Sequence, residues 1–578
     1  MATKPGLIAN DFQVLGQSQK ALFSLKIHRG DGMVLLAMNW KQGKPPDNFV
    51  GFAIEYKEPG GQQFFALKNR LCFPKANGGV DPNQLSTLRS PIQKFRWVHF
   101  PRNAHLPGQF SYRVTPVFMN ASDELSLGDP QEAELELMRE TFPGELNIAY
   151  TRGFVSSQAF VDRFKTVKDL LPGDNDDPLK FVPKGPNAET ALAWMGFEAR
   201  AAIVDLLDQA IADPSAQVRV VAYDFNLPDV VDRVEKLGSR VRVIIDNSGS
   251  HGQAGSPENA AEARLVVSAG RANVKRQHMA DLQHNKFIAV TGDVQKAVCG
   301  STNFSWRGFF VQNNNAMLVE GKDAVQLFMD AFDNYFANDT VAGFGKTDSA
   351  KFVSLGLAGI DAKIAFSPHT ASNALLQSIA DDMQKNTTSS LFYSLAFLYQ
   401  TKGVIKDAIV KLTNDPKLFV YGISDREVKG VVTVDVKKPG RGNPTPVFPA
   451  ALTKGLPEPF KSEPTGGGGV RMHHKFVVID FDKPTARVYL GSYNFSKPAD
   501  TSNGENLLLI RDRRAATSYM VEGLSMFDHY QFRVAQQDAK KARKKLQLAK
   551  PPRKKGEQPW WAEYFSDPLK IRDREIFA

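Results

Sequence analysis

The sequence has little cysteine, no long apolar run and no recognisable export signal. Its 578 residues include two cysteines, Cys72 and Cys299, which allow at most one disulfide and exclude a cysteine-rich metal site. Cys299 lies in the apolar stretch KAVCGS, which favours a buried, reduced thiol. No stretch is long enough to cross a bilayer as a helix, and the opening MATKPGLIANDFQ lacks the basic-then-apolar pattern of a secretory signal. The sequence predicts a cytoplasmic protein, and export by a route without such a signal stays open.

The excess of positive charge belongs to one short segment. The formal net charge is +10, and residues 540–555 (KKARKKLQLAKPPRKK) hold nine Lys or Arg and no acid, which leaves about +1 for the rest. Such a basic tail forms either a solvated arm or a docking patch for an anionic surface. Four aromatic residues follow it: Trp560, Trp561, Tyr564 and Phe565. They would either anchor the tail on the body of the protein or form an interfacial patch.

The N-terminal part of the chain carries strand signals and little helix. Short stretches rich in aromatic and β-branched residues alternate with Gly, Pro and Asn. They cover residues 33–40, 49–58, 62–69, 92–100, 109–120 and 133–138. FAIEYK and FSYRVT each present one apolar and one polar face. We predict an all-β sandwich over residues 1–143, similar to fibronectin type III or immunoglobulin-like modules.

From about residue 145 the pattern becomes mixed and occurs twice. Each copy contains two apolar strands, an H-x-K strand and a G-S-x-N strand. These are 218–225, 241–249, 284–290 and 298–305 in the first copy, and 390–398, 418–425, 473–480 and 489–496 in the second. Apolar strands alternating with helices predict α/β sheets flanked by helices, and the duplication predicts two lobes. We expect the lobes at 144–360 and 361–535, followed by a C-terminal tail at 536–578.

A stretch rich in proline and glycine interrupts the second copy. Residues 431–469 end in four consecutive glycines just before the H-x-K strand. This composition predicts a long surface loop with a flexible hinge. It would either shape the substrate site or be a plain insertion.

Reactive side chains are concentrated where each H-x-K strand begins. Residues i and i+2 of a strand project from one face, so His284 points with Lys286, and His473 with Lys475. The same rule pairs a serine with an asparagine on each neighbouring strand, namely Ser301 with Asn303 and Ser492 with Asn494. If the lobes pack about a pseudo-twofold axis, two imidazoles, two ammoniums and four neutral donors converge. That set suits a phosphate diester, whose non-bridging oxygens the cations and donors would stabilise.

The alternative is a pair of core histidines with incidental lysines. It is disfavoured because a lysine buried beside a histidine, twice, is costly without an anionic partner. A catalytically silent phosphate-binding module is disfavoured as well, since both H-x-K pairs are intact.

The H-x-K-x-x-x-x-D pattern with G-S-x-N resembles the HKD signature of the phospholipase D superfamily, over roughly residues 145–535. The resemblance implies a two-lobed α/β fold and a phosphodiesterase that needs no metal and no other cofactor. One histidine would attack phosphorus and the other would protonate the departing oxygen. The resulting phosphohistidine would then be released by water or an alcohol. We find no carboxylate cluster in the sequence that would hold a metal ion.

The two half-sites differ at the residue that supports the histidine. Fourteen residues after the first glycine of G-S-x-N, the second copy has Glu505 and the first has Asn314. In the family, the acidic residue at this position commonly orients a histidine, often across the lobe interface. The resemblance therefore implies that Glu505 supports His284 as the nucleophile, and that Asn314 leaves His473 as the general acid.

A second difference lies seven residues after each histidine. The second copy has Asp480 there, whereas the first has Thr291. In the family this aspartate is mainly structural, so we expect the threonine to be tolerated.

The resemblance implies that the substrate is a phosphodiester of a phospholipid or of a nucleic acid. The bilobed chain with both motifs, and the loop that could gate a lipid, favour a phospholipid head group; the lack of an amphipathic docking helix counts against it. The basic tail and the missing export signal favour a metal-independent nuclease acting on DNA or RNA. The near-neutral body and the lack of an aromatic-basic strip count against that. We predict a phospholipase D-type phosphodiesterase, with the nuclease as the alternative.

Overall fold

The computed structural model describes residues 12–74, 82–137, 140–153, 160, 163–164, 169–173, 175–424, 472–541, 543 and 546–578. These residues form two compact units, one drawn from Met1–Arg139 and Thr517–Ala578, the other from Glu140–Val436 and Pro446–Ala516. The predicted loop at 431–469 lies outside the described residues, as does part of the basic tail. Within the described ranges, no helix has both the length and the apolar character that a membrane span requires. The four-part division of the chain stays a prediction.

The first unit is built from antiparallel strands. They are β1 (Gln13–Leu15), β2 (Phe23–Arg29), β3 (Val34–Trp40), β4 (Phe49–Lys57), β5 (Phe65–Ala66), β6 (Arg96–His99), β7 (Gln109–Met119), β8 (Leu125–Leu127) and β9 (Gln131–Glu136). One sheet has the order β1-β2-β3-β6 and the other β5-β4-β7-β8, with β9 also paired to β7. Five of the six predicted stretches each contain one of these strands, and the sixth, 133–138, overlaps β9. Strands β1, β2 and β8 were not predicted.

The apolar faces of the two sheets share one hydrophobic core. Phe23 and Leu36 from one sheet pack in the same cluster as Phe52 and Tyr112 from the other, as in a β-sandwich. The predicted sandwich is confirmed.

The aromatic residues of the C-terminal segment belong to this core. Trp561 and Tyr564 are buried in the cluster, and the Trp560 indole N–H donates to the carbonyl of Phe49 at 3.0 Å. Of the two alternatives for these aromatics, the structure has the anchoring one. A buried aromatic side chain contributes a large apolar area to the core that holds it.

We expect Trp561→Ala to lower the free energy of unfolding of the first unit by about 3–5 kcal/mol, because it removes a large buried ring and leaves a cavity. Urea denaturation of the full chain, followed by tryptophan fluorescence, measures this change. Leu569→Ala is the matched control, since Leu569 is 42% exposed in the same C-terminal segment. A loss for Trp561→Ala no larger than that of the control would contradict the assignment of Trp561 to the core.

The second unit contains two seven-stranded sheets. The first has β10 (Leu146–Tyr150), β11 (Gln217–Ala222), β12 (Val241–Asp246), β13 (Val274–Gln277), β14 (Lys286–Thr291), β15 (Lys296–Gly300) and β16 (Asn315–Glu320). The second has β17 (Val353–Ser354), β18 (Asp361–Ser367), β19 (Ser390–Leu395), β20 (Phe419–Ile423), β21 (Lys475–Ile479), β22 (Arg487–Gly491) and β23 (Glu505–Arg511).

The strand orders show that the unit is a duplication. They are β10-β16-β15-β14-β11-β12-β13 and β17-β18-β23-β22-β21-β19-β20. β11 and β12 are parallel, as are β19 and β20, and the H-x-K strands β14 and β21 run antiparallel to both of their neighbours. Cys299 is a buried free thiol in β15, as predicted, and burial raises the pKa of this thiol.

Helices flank these sheets, as the apolar strands require. The helices of this unit are α1 (Ala188–Ala212), α2 (Pro228–Lys236), α3 (Pro257–Ala269), α4 (Trp306–Phe310), α5 (Lys322–Ala337), α6 (Val341–Phe344), α7 (Leu376–Asn386), α8 (Val404–Thr413) and α9 (Lys497–Thr501). Helix α10 (Arg513–Lys541) begins in this unit and continues into the first unit, which also contains α11 (Pro568–Ile576). The fold prediction, a two-lobed α/β structure of mixed sheets preceded by an all-β sandwich, is confirmed.

Candidate active site

The two lobes meet at the residues that precede their histidines. Gln283 forms a parallel bridge with Gly504, and Met472 forms one with Asn313. The His473 N–H donates to the carbonyl of Asn313 at 3.1 Å. Each H-x-K strand therefore begins next to the opposite lobe. The first begins beside Gly504, which precedes Glu505, and the second begins beside Asn313, which precedes Asn314. This is the pseudo-twofold packing that the duplicated motifs predict.

The two motif histidines face each other in a buried site. The ring centroids of His284 and His473 are 6.4 Å apart, and each residue is 4% exposed. The Nδ1 atom of each ring is engaged by a residue of the opposite lobe, which leaves both Nε2 atoms for chemistry.

The opposite-lobe partners of the histidines are the two residues that the resemblance implies. His284 Nδ1 lies 2.7 Å from Glu505 Oε2, and His473 Nδ1 lies 2.9 Å from Asn314 Oδ1. Burial raises the pKa of Glu505 to about 8, against the opposing effect of Lys286. The short contact holds the His284 ring in one orientation through its Nδ1 atom.

The serines of the two G-S-x-N segments donate hydrogen bonds to these partners. The Ser492 hydroxyl donates to Glu505 Oε2 at 2.7 Å, and the Ser301 hydroxyl donates to Asn314 Oδ1 at 2.9 Å. Their hydroxyl protons are therefore directed at the histidine supports. Direct contact of either serine with a phosphate stays a prediction.

The asparagines of the two G-S-x-N segments keep unused hydrogen-bonding capacity. Asn303 Nδ2 donates to Asp224 Oδ2 at 2.7 Å. The side-chain oxygens of Asn303 and Asn494 are buried and have no hydrogen-bond partner among the described residues. A substrate in the site is one way to satisfy such buried amides.

Both motif lysines are buried against the backbone of their own histidines. Lys475 Nζ donates to the carbonyl of His473 at 2.8 Å, and Lys286 Nζ donates to that of His284. Each lysine is 1% exposed, and no carboxylate of the described residues lies within ion-pair distance of either. Burial lowers the pKa of Lys286 to about 7 and that of Lys475 well below its usual range.

The electrostatics of the site favour an anion. Burial and then the neighbouring lysines lower the pKa of both His284 and His473 well below the ordinary value. Burial is thus the main reason why each of these four groups resists protonation. A bound phosphate diester would add negative charge beside them and raise all four pKa values.

Asp480 has a structural position away from the facing imidazoles. Its carboxylate accepts hydrogen bonds from the backbone N–H groups of Thr388, Ser389 and Ser390 at 2.8–3.0 Å, and from the Thr388 hydroxyl at 2.7 Å. It thereby ties the end of β21 to the start of β19.

In the first lobe, the carboxylate that makes the corresponding connection comes from the segment before β11 and not from the end of β14. Asp213 precedes β11, and its carboxylate accepts from the backbone N–H groups of Asp293 and Val294 at 2.9 and 3.3 Å. These residues follow Thr291 at the end of β14. Thr291 can therefore stand where the second lobe has Asp480, because the carboxylate of the first lobe comes from the opposite segment.

We expect Asp480→Ala to lower the free energy of unfolding by about 3–5 kcal/mol, because several backbone donors would lose a buried charged acceptor. Thermal and urea denaturation measure this loss. Asp381→Ala serves as the control, since Asp381 pairs with Lys385 on an exposed helix face. A variant at 480 with unchanged stability would refute the structural role of this carboxylate.

The structure adds a polar cluster that the sequence analysis missed. His251 lies between two carboxylates, with Nε2 at 3.2 Å from Asp224 and Nδ1 at 2.8 Å from Asp246. The Tyr223 ring lies 4.6 Å from the rings of both His251 and His284. Burial opposes protonation of His251, but the two carboxylates outweigh it and raise its pKa to about 10.

The two lobes differ in what they place beside their histidines. Strand pairing aligns Ala222 with Lys286 in one lobe and Leu395 with Lys475 in the other, so Asp224 and Phe397 occupy corresponding positions. The Phe397 ring lies 6.1 Å from the ring of His473. The first half-site therefore has the Asp224 carboxylate and the Tyr223 ring, whereas the second has the Phe397 ring. Within the described ranges, no group of three or more His, Cys, Asp or Glu side chains is placed to hold a metal ion.

Comparisons with known proteins find matches in the region of both half-sites. A family profile described as "Cardiolipin synthase, PLD-like domain" matches residues 207–336 and 453–525, which contain both H-x-K motifs. A protein named "Phospholipase D" from Rickettsia prowazekii is 46% identical over 48 residues, which cover 8% of this chain and 22% of that protein. One of the same name from Rickettsia felis is 42% identical over 53 residues, covering 9% and 24%. The chain thus spans less than a quarter of the length of these curated relatives.

Solved structures with a similar fold include two bacterial proteins. Phosphatidylserine synthase from Haemophilus influenzae shares 14% identity at a TM-score of 0.40, covering 59% of this chain and 85% of that one. NucT from Helicobacter pylori shares 20% identity at a TM-score of 0.20, covering 29% and 97%.

The matched profile covers both halves of a two-lobed unit whose half-sites form one composite site. The chain is similar to the phospholipase D superfamily in these two regions and carries both motifs in one polypeptide.

Proposed function

We propose that this protein is a phosphodiesterase of the phospholipase D type that cleaves a phospholipid head group through a covalent phosphohistidine. The observation that carries the proposal is the pair of buried imidazoles with ring centroids 6.4 Å apart. Each ring is fixed through Nδ1 from the opposite lobe, and each adjoins a buried lysine. Two fixed imidazoles beside two cations suit in-line displacement at one phosphorus atom.

The first step forms the covalent intermediate. His284 Nε2 attacks phosphorus, the bond from phosphorus to the leaving oxygen breaks, and His473 gives its proton to that oxygen. Glu505 stabilises the positive charge that develops on His284. Lys286 and Lys475 offset the charge on the non-bridging oxygens.

The second step releases the product. Water or an alcohol gives a proton to His473 and attacks phosphorus, and the bond between phosphorus and His284 breaks. His473 is again protonated and His284 is free. Hydrolysis and transfer to an alcohol thus differ in the acceptor alone.

The choice of a lipid substrate draws support from the matched names. The matched profile is described as a cardiolipin synthase domain, and both curated relatives carry the name phospholipase D. The basic tail at 540–555 favours the alternative, a metal-independent nuclease, because clustered Lys and Arg bind nucleic-acid phosphates. Two of its basic residues, Lys550 and Arg553, pair with Asp123 at 2.7 and 3.0 Å.

Two further proposals come from the sequence alone. We propose a cytoplasmic location for the protein, and contact of the basic tail with an anionic surface. Neither is needed for the chemistry of the site.

A direct experiment separates the two substrate classes. Purified protein is given labelled phosphatidylcholine vesicles, single-stranded DNA and duplex DNA, each with a chelator present and beside a His473→Ala control. We expect head-group release that the control lacks. Cleavage of DNA without release from the lipid would overturn the lipid assignment in favour of the nuclease.

A further inference from the structure

A series of hydrogen bonds connects the His251 cluster with the first G-S-x-N segment. His251 Nδ1 lies 2.8 Å from Asp246 Oδ2, and its Nε2 lies 3.2 Å from Asp224 Oδ1. The other oxygen of Asp224 accepts a hydrogen bond from Asn303 Nδ2 at 2.7 Å. The Asp246 side chain is fully buried and that of His251 is 12% exposed, so water competes little for these contacts. The series therefore runs from a buried carboxylate to an amide of the candidate phosphate site.

Strand pairing brings Asp224 and Asn303 together beside the H-x-K strand. Asp224 follows β11 and Asn303 follows β15, and these two strands are the neighbours of β14. The residues after them, Phe225 and Phe304, form a parallel bridge. Because β14 runs antiparallel to both neighbours, their ends lie at the end of β14 that follows His284.

The Asp224 carboxylate determines which way the Asn303 amide is turned. A carboxylate oxygen only accepts hydrogen bonds, so the nitrogen end of the amide has to face it. The amide nitrogen carries two protons, and Asp224 accepts one of them. Asn303 is 3% exposed, so the second N–H has an acceptor to gain when a phosphate oxygen enters the site.

His251 keeps Asp224 in the charged form that this arrangement requires. Burial opposes ionisation of Asp224, but the hydrogen bond from His251 outweighs it and lowers the pKa of this carboxyl. The two carboxylates in turn raise the pKa of His251 to about 10, although burial opposes this. At neutral pH the two groups are therefore an imidazolium and a carboxylate. A protonated Asp224 would donate a proton of its own and would no longer hold the amide nitrogen.

The second half-site has no corresponding contact. Phe397 occupies the position there that corresponds to Asp224. A phenyl ring cannot accept an amide proton as a carboxylate does, so Asn494 lacks the contact that Asn303 has. The two half-sites therefore differ in how firmly they orient their amides.

We infer that Asp224, held by His251, is a positioning residue that directs the second N–H of Asn303 at one non-bridging oxygen of the phosphate. The inference rests on the proposed function and adds two residues to its site. Because the second half-site lacks this device, the two non-bridging oxygens are bound unequally.

A binding measurement tests the orientation of the amide. Calorimetry with inorganic phosphate compares the wild type with Asp224→Ala, Asn303→Ala and the double variant. Removing a negative charge would by itself strengthen phosphate binding, so a loss of affinity in Asp224→Ala reports the lost orientation. We expect Asn303→Ala to weaken binding by about tenfold and Asp224→Ala by about threefold, with no further loss when both are combined. Unchanged or tighter binding in Asp224→Ala, or losses that multiply in the double variant, would overturn the inference.

Two further variants separate orientation from stability. Asp382→Ala removes a carboxylate that accepts from Arg487 Nε at 2.7 Å and from the Tyr489 hydroxyl at 2.8 Å. It should lower stability and leave the affinity for phosphate unchanged. His251→Ala should weaken phosphate binding less in the Asp224→Ala background than in the wild type, and an equal loss in both would overturn the role of His251. If His251→Ala does not fold, the comparison of Asp224→Ala with Asn303→Ala decides, because Asp224→Ala retains the pairing of His251 with Asp246.

A chiral phosphorothioate diester reports the same contact during turnover, because sulfur replaces one non-bridging oxygen and is a weak acceptor. The wild type should cleave one diastereomer about tenfold faster than the other, and Asp224→Ala should reduce this ratio as Asn303→Ala does. A ratio near one in the wild type, or one unchanged in Asp224→Ala, would overturn the inference. No cleavage of any diester by a wild type that shows the expected phosphate binding would refute the proposed function and leave the positioning role of Asp224 standing.

Discussion

Replacing His284 with alanine should lower the turnover of a phosphodiester substrate by about 10⁴-fold or more. The substitution removes the nitrogen that we propose to bond to phosphorus, and nothing else at that position can take its place. With a substrate that has a poor leaving group, His473→Ala should lower the turnover by a comparable factor, because the alkoxide then has to depart without a proton. Steady-state rates on short-chain lipid measure both effects.

The nature of the leaving group separates the roles of the two histidines. A p-nitrophenyl phosphodiester has a leaving oxygen that needs no proton. With this substrate, His473→Ala should regain part of the rate of the first step, whereas His284→Ala should not. His278→Ala is the control, because His278 is an exposed histidine that contacts Asn247. If His284→Ala regained activity with this substrate while His473→Ala stayed inactive, the two roles would have to be exchanged.

The second large effect concerns Lys286, for which activity and stability should move in opposite directions. Lys286→Met should lower kcat/KM by about 10²–10³-fold, since it removes a cation from the non-bridging oxygens. It should also raise the free energy of unfolding of the ligand-free protein by about 2 kcal/mol, because a buried ammonium without a carboxylate partner is costly. Enzyme assays and urea denaturation measure the two effects on the same sample.

The pH dependence of this gain in stability has a defined sign. The pKa of Lys286 is lowered in the folded protein to about 7 from 10.5, so protonation favours the unfolded chain. The penalty is largest below pH 7 and disappears as the pH rises to 10.5. The advantage of Lys286→Met should therefore shrink over that window. An advantage independent of pH, or one matched by the exposed control Lys483→Met, would contradict this explanation.

The sequence was sufficient where chemistry follows strand periodicity. The i, i+2 rule placed His284 with Lys286, and His473 with Lys475, before the fold was known. The partnership of His284 with Glu505 came from the resemblance, and the structure has these side chains 2.7 Å apart. Their positions could be anticipated because they belong to a repeated motif.

The cluster around His251 could not be found in the same way. Asp224 follows β11, whereas Asp246 ends β12 and His251 comes five residues later; they meet because β11 pairs with β12. The spacing of these residues in the sequence does not indicate that their side chains are in contact. Asp213 was missed for a related reason. The carboxylate that connects the ends of these two strands can come from either strand, and the motif does not fix its position.

Strand β2 shows a third limit of the sequence. FSLKIHR places His28 and Arg29 in buried positions, which charged and polar residues seldom occupy. His28 Nε2 lies 2.5 Å from the carbonyl oxygen of Phe577, a partner at the far end of the chain. Its burial therefore depends on a contact that strand periodicity cannot reveal.

The central claim is that His284 and His473 act on one phosphorus atom, with His284 forming the covalent bond. Acid-free quenching of the enzyme with a ³²P-labelled diester, followed by peptide mapping, locates the adduct. We predict an acid-labile phosphohistidine on the peptide that carries His284, still formed with a p-nitrophenyl ester in His473→Ala and absent in His284→Ala. An adduct that persists in His284→Ala would contradict the account.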